Sequence, residues 1–218
     1  MHLYIKWLLK IASRYAPSRT LSFELVHIFK ALQLLYSENH VSRSLLCREL
    51  DLGEGSVRTL LKHLKMQDLI ESTKGGTKLS DRGRRTFAEL LDSIPAEITI
   101  PKCSVAIGKY NCGILLRGFA FAVKSGIEQR DAAIKVGARG ATTLIYKDHK
   151  FIMPGKEQNS LEKEPEIAKL LIEKLNPREK VDIVVIGSDD HSKKIAEFAA
   201  KNAGLVTIMN HKEEHVIS

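Results

Sequence analysis

The period of the hydrophobic residues changes once along the chain, near Pro95, and that change limits the fold more than any other feature. Before it, apolar residues recur at helical spacing almost without a break. After it, short β-branched runs such as Ile98-Thr99-Ile100 and Val181-Asp182-Ile183-Val184-Val185-Ile186 stand between helical stretches. A chain of 218 residues has room for one or two domains. The pattern predicts two, an α-rich domain over residues 1–95 and an α/β domain over residues 96–218. With 44% hydrophobic and 28% charged residues the chain can bury an ordinary core, which excludes a disordered polymer. The opening Leu3 to Ile11 is interrupted by Lys6 and Lys10, and no run approaches the roughly 18 apolar residues of a membrane span, so neither a span nor a cleaved signal peptide is expected. Three cysteines cannot make a disulfide framework, and the expected compartment is the reducing cytoplasm.

In the first domain, Leu3 to Ser13 reads as an amphipathic helix halted before Pro17. Ser22 is the expected cap of a second helix reaching Tyr36, with Leu25, Ile28, Phe29, Leu32 and Leu35 on one stripe. A short helix over 42–50, with Cys47 as a small buried apolar residue, leads into the turn Asp51-Leu52-Gly53-Glu54-Gly55. A further helix follows, carrying Val57, Leu60, Leu61 and Leu64 at i, i+3, i+4 and i+7. Two strand-like runs, 69–73 and 77–79, flank Lys74-Gly75-Gly76, and Ser80 to Ile94 returns to helical spacing.

Helix, glycine-containing turn, helix and basic hairpin, in that order, is the order of a winged helix-turn-helix. Burying the Val57 stripe leaves Ser56, Arg58, Thr59, Lys62, His63 and Lys65 wholly or partly exposed, a face suited to base edges and phosphates in a major groove. Thr73, Lys74, Thr77 and Lys78 are placed to touch the adjacent backbone. Between Arg43 and Arg85 stand ten basic and six acidic residues, half of the chain's formal surplus of +8. The stretch Leu79-Ser80-Asp81-Arg82-Gly83 resembles the Leu-Thr-x-x-Gly exit of bacterial and archaeal winged-helix regulators. The plainer alternatives are a solvated helix face and a winged helix that binds protein. His63 by itself reads as a surface or helix-end histidine.

In the second domain two or three strands are expected between Ile98 and Arg117, with a turn at Lys109-Tyr110-Asn111. A helix from Ser125 or Gly126 to Val136 precedes strands at 141–146 and 150–153, and Pro165 opens a helix ending near Asn176. The tail reads as a βαβ unit: strand 181–186, loop 187–190, helix 193–203 stopped by Gly204, and a parallel strand 205–209. The loop holds Gly187, Ser188, Asp189 and Asp190 where open α/β sheets bind ligands, although Ser188 or Asp189 can equally serve as helix caps. A second candidate cluster joins Glu128 and Arg130 to Arg139 and the glycine-rich run around it, two guanidiniums able to hold a carboxylate or phosphate. Helix-surface ion pairs and a C-cap explain the same residues. There is no GxGxxG or P-loop, no metal-ligand spacing of His or Cys and no Gly-x-Ser-x-Gly elbow, so no cofactor, metal or catalytic residue is expected.

The run 125–134, continuing through Gly137-Ala138-Arg139-Gly140-Ala141-Thr142-Thr143-Leu144 to Met153-Pro154-Gly155, resembles a group of archaeal two-domain predicted transcriptional regulators. These place a winged helix ahead of a domain of unknown function. The resemblance covers most of the chain and implies an archaeal source. The functional expectation is a cytoplasmic DNA-binding regulator. Arg43, Ser56, Arg58, Thr59, Lys62, Lys65, Lys74 and Lys78 contact double-stranded DNA, and the second domain senses a small molecule or mediates assembly. A homodimer on paired half-sites is expected, with Tyr4, Trp7, Leu8 and Ile11 of the first helix either at the dimer contact or packed on their own domain. The alternative is an enzyme acting on a nucleotide or phosphorylated metabolite, with a pocket where the Gly187 segment meets Arg130 or Arg139.

Overall fold

The computed structural model describes residues 3–12, 22–38 and 40–210. Two compact units divide the chain, Met1–Leu91 and Asp92–Ser218. The first is helical with a small hairpin and the second is built on a sheet, a mixed architecture of helix and strand.

In the first unit α1 (Leu3–Ala12) buries Trp7, Leu8 and Ile11 against the other helices. The expected end at Ser13 and Pro17 lies outside the described residues, as does the side chain of Tyr4. Helix α2 (Leu25–Ser37) does not use Ser22 as its cap. Glu24 is the N-cap, and its N–H donates to His27 Nδ1 at 2.8 Å. Helix α3 (Arg43–Leu50) is capped by Ser42, whose Oγ accepts from Leu45 N–H at 3.1 Å. It ends at Asp51 in the left-handed region, and α4 (Glu54–Met66) begins after Gly53. Strands β1 (Ile70–Thr73) and β2 (Gly76–Leu79) pair antiparallel around Lys74-Gly75, and Val41 adds a bridge to Thr77. Gly76, at φ 130°, is required twice over, because a Cβ there would stand 2.7 Å from Val41 O. Helix α5 (Asp81–Ser93) starts on Ser80, whose Oγ accepts from Gly83 N–H.

The second unit holds a five-stranded sheet in the order β3 (Glu97–Thr99), β4 (Tyr110–Leu116), β7 (Ile183–Asp189), β5 (Gly140–Lys147), β6 (Lys150–Ile152). Every pair in it is antiparallel. Strands β4 and β5 therefore run parallel to each other with β7 set between them, and α6 (Ile127–Lys135) lies on the connection from one to the other. Helix α8 (Lys193–Asn210) packs beside α6 on one face. On the other face α7 (Pro165–Leu175), with Pro165 in its first turn, buries Leu171 and Leu175 among Leu115, Leu144, Val184 and Ile186.

The expected βαβ tail is corrected here. Residues 205–209 continue α8 rather than forming a strand, so the described residues hold no parallel crossover after β7. Gly204 does not stop the helix, because its missing Cβ is what the packing uses: a Cβ would lie 2.7 Å from Ile114 Cδ1. Thr207 Oγ1 then bonds Ala203 O within the helix and accepts from the buried Gln129 Nε2 at 2.7 Å, so tertiary contact overrides the β-branched run. The turn expected at Lys109-Tyr110-Asn111 is also corrected. Strand β4 starts at Tyr110, and the bend is at Gly108, whose backbone both donates to and accepts from the Asn111 side chain.

The α2 cap predicts a pH dependence. Burial is the main cause holding the His27 imidazole below its ordinary value of 6.5, and a ring whose Nδ1 accepts from Glu24 N–H must be unprotonated there. The native state then binds fewer protons than the unfolded one, so stability present above about pH 6.5 declines as the pH falls through the lowered native value. Urea unfolding of the full chain at pH 7.5 and 5.5 is expected to show this loss, and His27→Gln is expected to flatten it.

Candidate nucleic-acid interface and ligand clefts

Helix α4 places most of its candidate residues as their spacing requires. Val57, Leu60, His63 and Leu64 are buried; Arg58, Thr59, Lys62 and Lys65 are exposed, and Ser56 is half-buried. Arg58, Lys62 and Lys65, at i, i+4 and i+7, form one stripe. Thr59 is partly engaged, its hydroxyl donating to Gly55 O at 3.0 Å. His63 departs from the surface reading, because its Nδ1–H donates to Ile11 O at 2.8 Å inside the unit. Arg43 is exposed at the start of α3, and Cys47 beside it is half-buried. At the hairpin Lys74 is exposed, whereas Lys78 is half-buried and pairs with Glu71 at 3.1 Å. Farther on, Arg82 stacks over Trp7 and Arg84 over Tyr36, so these cations serve packing.

The Gly187 segment is not a loop. Gly187 and Ser188 are buried inside β7, and Asp189 ends it with Oδ2 accepting from His191 N–H and Ser192 N–H, a local cap before α8. Arg139 comes to this end of the strand. Its N–H donates to Ser188 O and its Nη1 to Asp190 Oδ2 at 2.9 Å. Lys109 N–H, with Arg139 beside it, holds the exposed Asp190 carboxyl below the ordinary carboxylate range. Arg130 is placed elsewhere, in a cleft of about 200 Å³ that Arg139 does not line. That cleft gathers Ser125 to Ile127, Ala141 to Thr143 and Met153-Pro154, segments far apart in sequence. Glu128 is exposed in the first turn of α6.

A larger cleft, about 570 Å³, lies between β3, the start of β4 and the first turns of α8. Thr99, Tyr110 and Cys112 line it together with Lys193 and Glu197. Under its rim Lys201, 0% exposed, pairs with Glu97 at 2.7 Å and Glu197 at 2.5 Å. The sequence carries no local signal for this group, because Lys201 falls in the last turn of the helix expected over 193–203 and its partner Glu97 is remote in sequence. Among the described residues no cluster of His, Cys, Asp or Glu could hold a metal ion, and no helix is long and apolar enough to cross a membrane.

Residues 28–85 match the model of a PH0730-like N-terminal domain, and residues 107–208 match a domain of unknown function, DUF4443. A solved structure of a hypothetical protein, PH0730 from Pyrococcus horikoshii OT3, is similar at TM-score 0.63 and 29% identity, over 86% of this chain and 94% of that one. No curated protein matches. Two domain matches in this order and an archaeal structural neighbour fit a two-domain family.

The placement of Gly187 predicts a packing role. A Cβ there would stand 2.3 Å from Ala196 O and 2.4 Å from Ala200 N, both backbone atoms. Gly187→Ala is expected to destabilise the chain by about 3 kcal/mol through overpacking, read as a lowered urea midpoint; an unchanged midpoint would show that α8 yields freely.

Proposed function

We propose that the first unit is a winged helix-turn-helix that binds duplex DNA, α4 acting as the recognition helix and the β1–β2 hairpin as the wing, in a regulator whose second unit senses a small molecule. The observation that carries this reading is the exposed stripe of Arg58, Lys62 and Lys65 opposite the buried Val57, Leu60 and Leu64. A helix in the major groove needs that division, because its cations must reach phosphates and base edges while its other face anchors it to the domain.

In this reading Arg58, Thr59 and Lys62 contact bases or phosphates, with Ser56 near the helix start. Arg43 and Lys65 contact phosphates, and Lys74 is the main wing contact, since Lys78 is shared with Glu71. The burial of Trp7, Leu8 and Ile11 within their own unit favours packing over a dimer contact for α1. A homodimer on paired half-sites would therefore use another surface. The clefts of about 570 and 200 Å³ support the sensing role of the second unit.

Binding of the full chain to random-sequence duplex DNA over a salt series tests the proposal, with Arg58→Ala/Lys62→Ala as the variant. Affinity of the wild type should fall steeply with salt. The variant should bind at least about tenfold more weakly, with a log–log salt slope smaller by about 2 if both cations meet phosphate. Absence of binding at low salt, or a variant with unchanged affinity and slope, would overturn it.

A further inference from the structure

The 200 Å³ cleft is built around the first turn of α6. Gly126 precedes that helix in the left-handed region at φ 78° and supplies no side-chain cap. The N–H groups of a first helical turn have no acceptor within the helix, and they carry the positive end of its dipole. Ser125 Oγ meets only one of them, Ile127 N–H, at a long 3.4 Å. Of the first-turn amides Ile127 N–H is the one whose residue lines the cleft, and so long a bond leaves it able to meet a ligand.

A second feature points to the same place independently. Thr143, on β5, lines the cleft, is 3% exposed, and its Oγ1 has no hydrogen-bond partner. A buried hydroxyl left unsatisfied costs stability unless something else uses it. This one lies 3.7 Å from where a Cβ on Gly126 would stand, against the approach to the helix N-terminus.

Arg130 completes the donor set. Its Cγ packs over Gly140, and its Nε and Nη2 bond Asp131 at 3.2 and 3.1 Å, leaving Nη1 as a further donor. A helix N–H, a guanidinium and a hydroxyl meet at the cleft from two elements, α6 and β5. The opposing charges are the exposed Glu128 carboxylate on the same turn and the Asp131 carboxylate that Arg130 already meets.

We propose that this cleft binds the phosphoryl group of a small metabolite, held by Ile127 N–H, Arg130 and the Thr143 hydroxyl. Three donor directions suit the three acceptor oxygens of a phosphoryl group better than the two of a carboxylate. The volume admits the group and a small attached moiety but no large ring system. The proposal deepens the sensing role given above and rests on that part of the reading alone, not on the DNA contacts.

The test follows the Ile127 and Arg130 amide resonances of the full chain by ¹H–¹⁵N NMR during titration with inorganic phosphate at constant ionic strength. Acetate provides a parallel arm, and Thr143→Val and Arg130→Gln are the variants. Phosphate should shift both resonances saturably. Its dissociation constant should rise about fivefold in Thr143→Val and about tenfold in Arg130→Gln, and acetate should bind at least about fivefold more weakly than phosphate. Thr143→Val should melt at the wild-type temperature or above, because it removes an unsatisfied polar group; a lower melting temperature would give the hydroxyl a structural role and overturn its part in binding. Shifts that never saturate, unchanged affinity in both variants, or acetate binding as tightly as phosphate would overturn the site. Duplex DNA affinity should be the same in Arg130→Gln as in the wild type. A drop there would assign the phosphoryl group to the DNA backbone and overturn the metabolite reading, whereas failure of the Arg58 and Lys62 variant would leave this site standing.

Discussion

Strand β7 and helix α8 meet at Gly187, and the second unit is arranged around that contact. With no Cβ in the way, the strand comes against the backbone of α8 at Ala196 and Ala200, and Gly204 repeats the device against Ile114 two turns later. The helix consequently lies low on β7 and β4. Small residues fill the remaining space: Ala133, Ala138 and Ala199 form the apolar cluster between α6, α8 and the sheet. The helix also buries a cation, Lys201, which is held by two carboxylates instead of by solvent.

The first unit depends on capping and close approach in the same way, on a smaller scale. The Leu79 to Gly83 motif has a plain physical reading. Ser80 Oγ accepts from Gly83 N–H while its own hydroxyl donates to Asp68 O, and a Cβ on Gly83 would strike Leu69 O at 2.0 Å. The turn from hairpin to α5 is thus fixed by one hydroxyl and one missing side chain. The hairpin is fixed in turn by Val41, whose N–H and C=O both bond Thr77. What remains outside this frame is the charged side of α4, where the side chains are restrained by little more than their own helix.

Local signals made the first unit legible and failed where the decisive contacts were distant. The period of Val57, Leu60 and Leu64, the Ser42 cap, the glycines of the hairpin and Pro165 at the start of α7 are each readable within a few residues, and each element stands where its signal puts it. The cap of α2 departs from the expected Ser22 because Glu24 and His27 act as a pair, and His63 is buried with a partner, Ile11 O, that is remote in sequence. Strand order was unreadable for a related reason. A β-branched run shows that a strand is buried but not which neighbour lies beside it, so β7 looked like half of a parallel unit. Of the cleft residues, Arg130 stands out in the sequence by its charge, whereas Thr143 is one member of the glycine-rich run around Arg139 and only its missing partner gives it a role.

The slot between β4 and β5 also constrains the order in which the chain can assemble. Both strands are made before residue 150, yet the strand that joins them, β7, begins only at Ile183. A growing chain that has reached α7 therefore carries two strands with open edges facing a gap, and neither side of the core can close until β7 is inserted. The helices and hairpin of the first unit are complete by Ser93. During synthesis that unit can form early, while the sheet waits for nearly the whole length of the chain and is most exposed to mispairing in the interval.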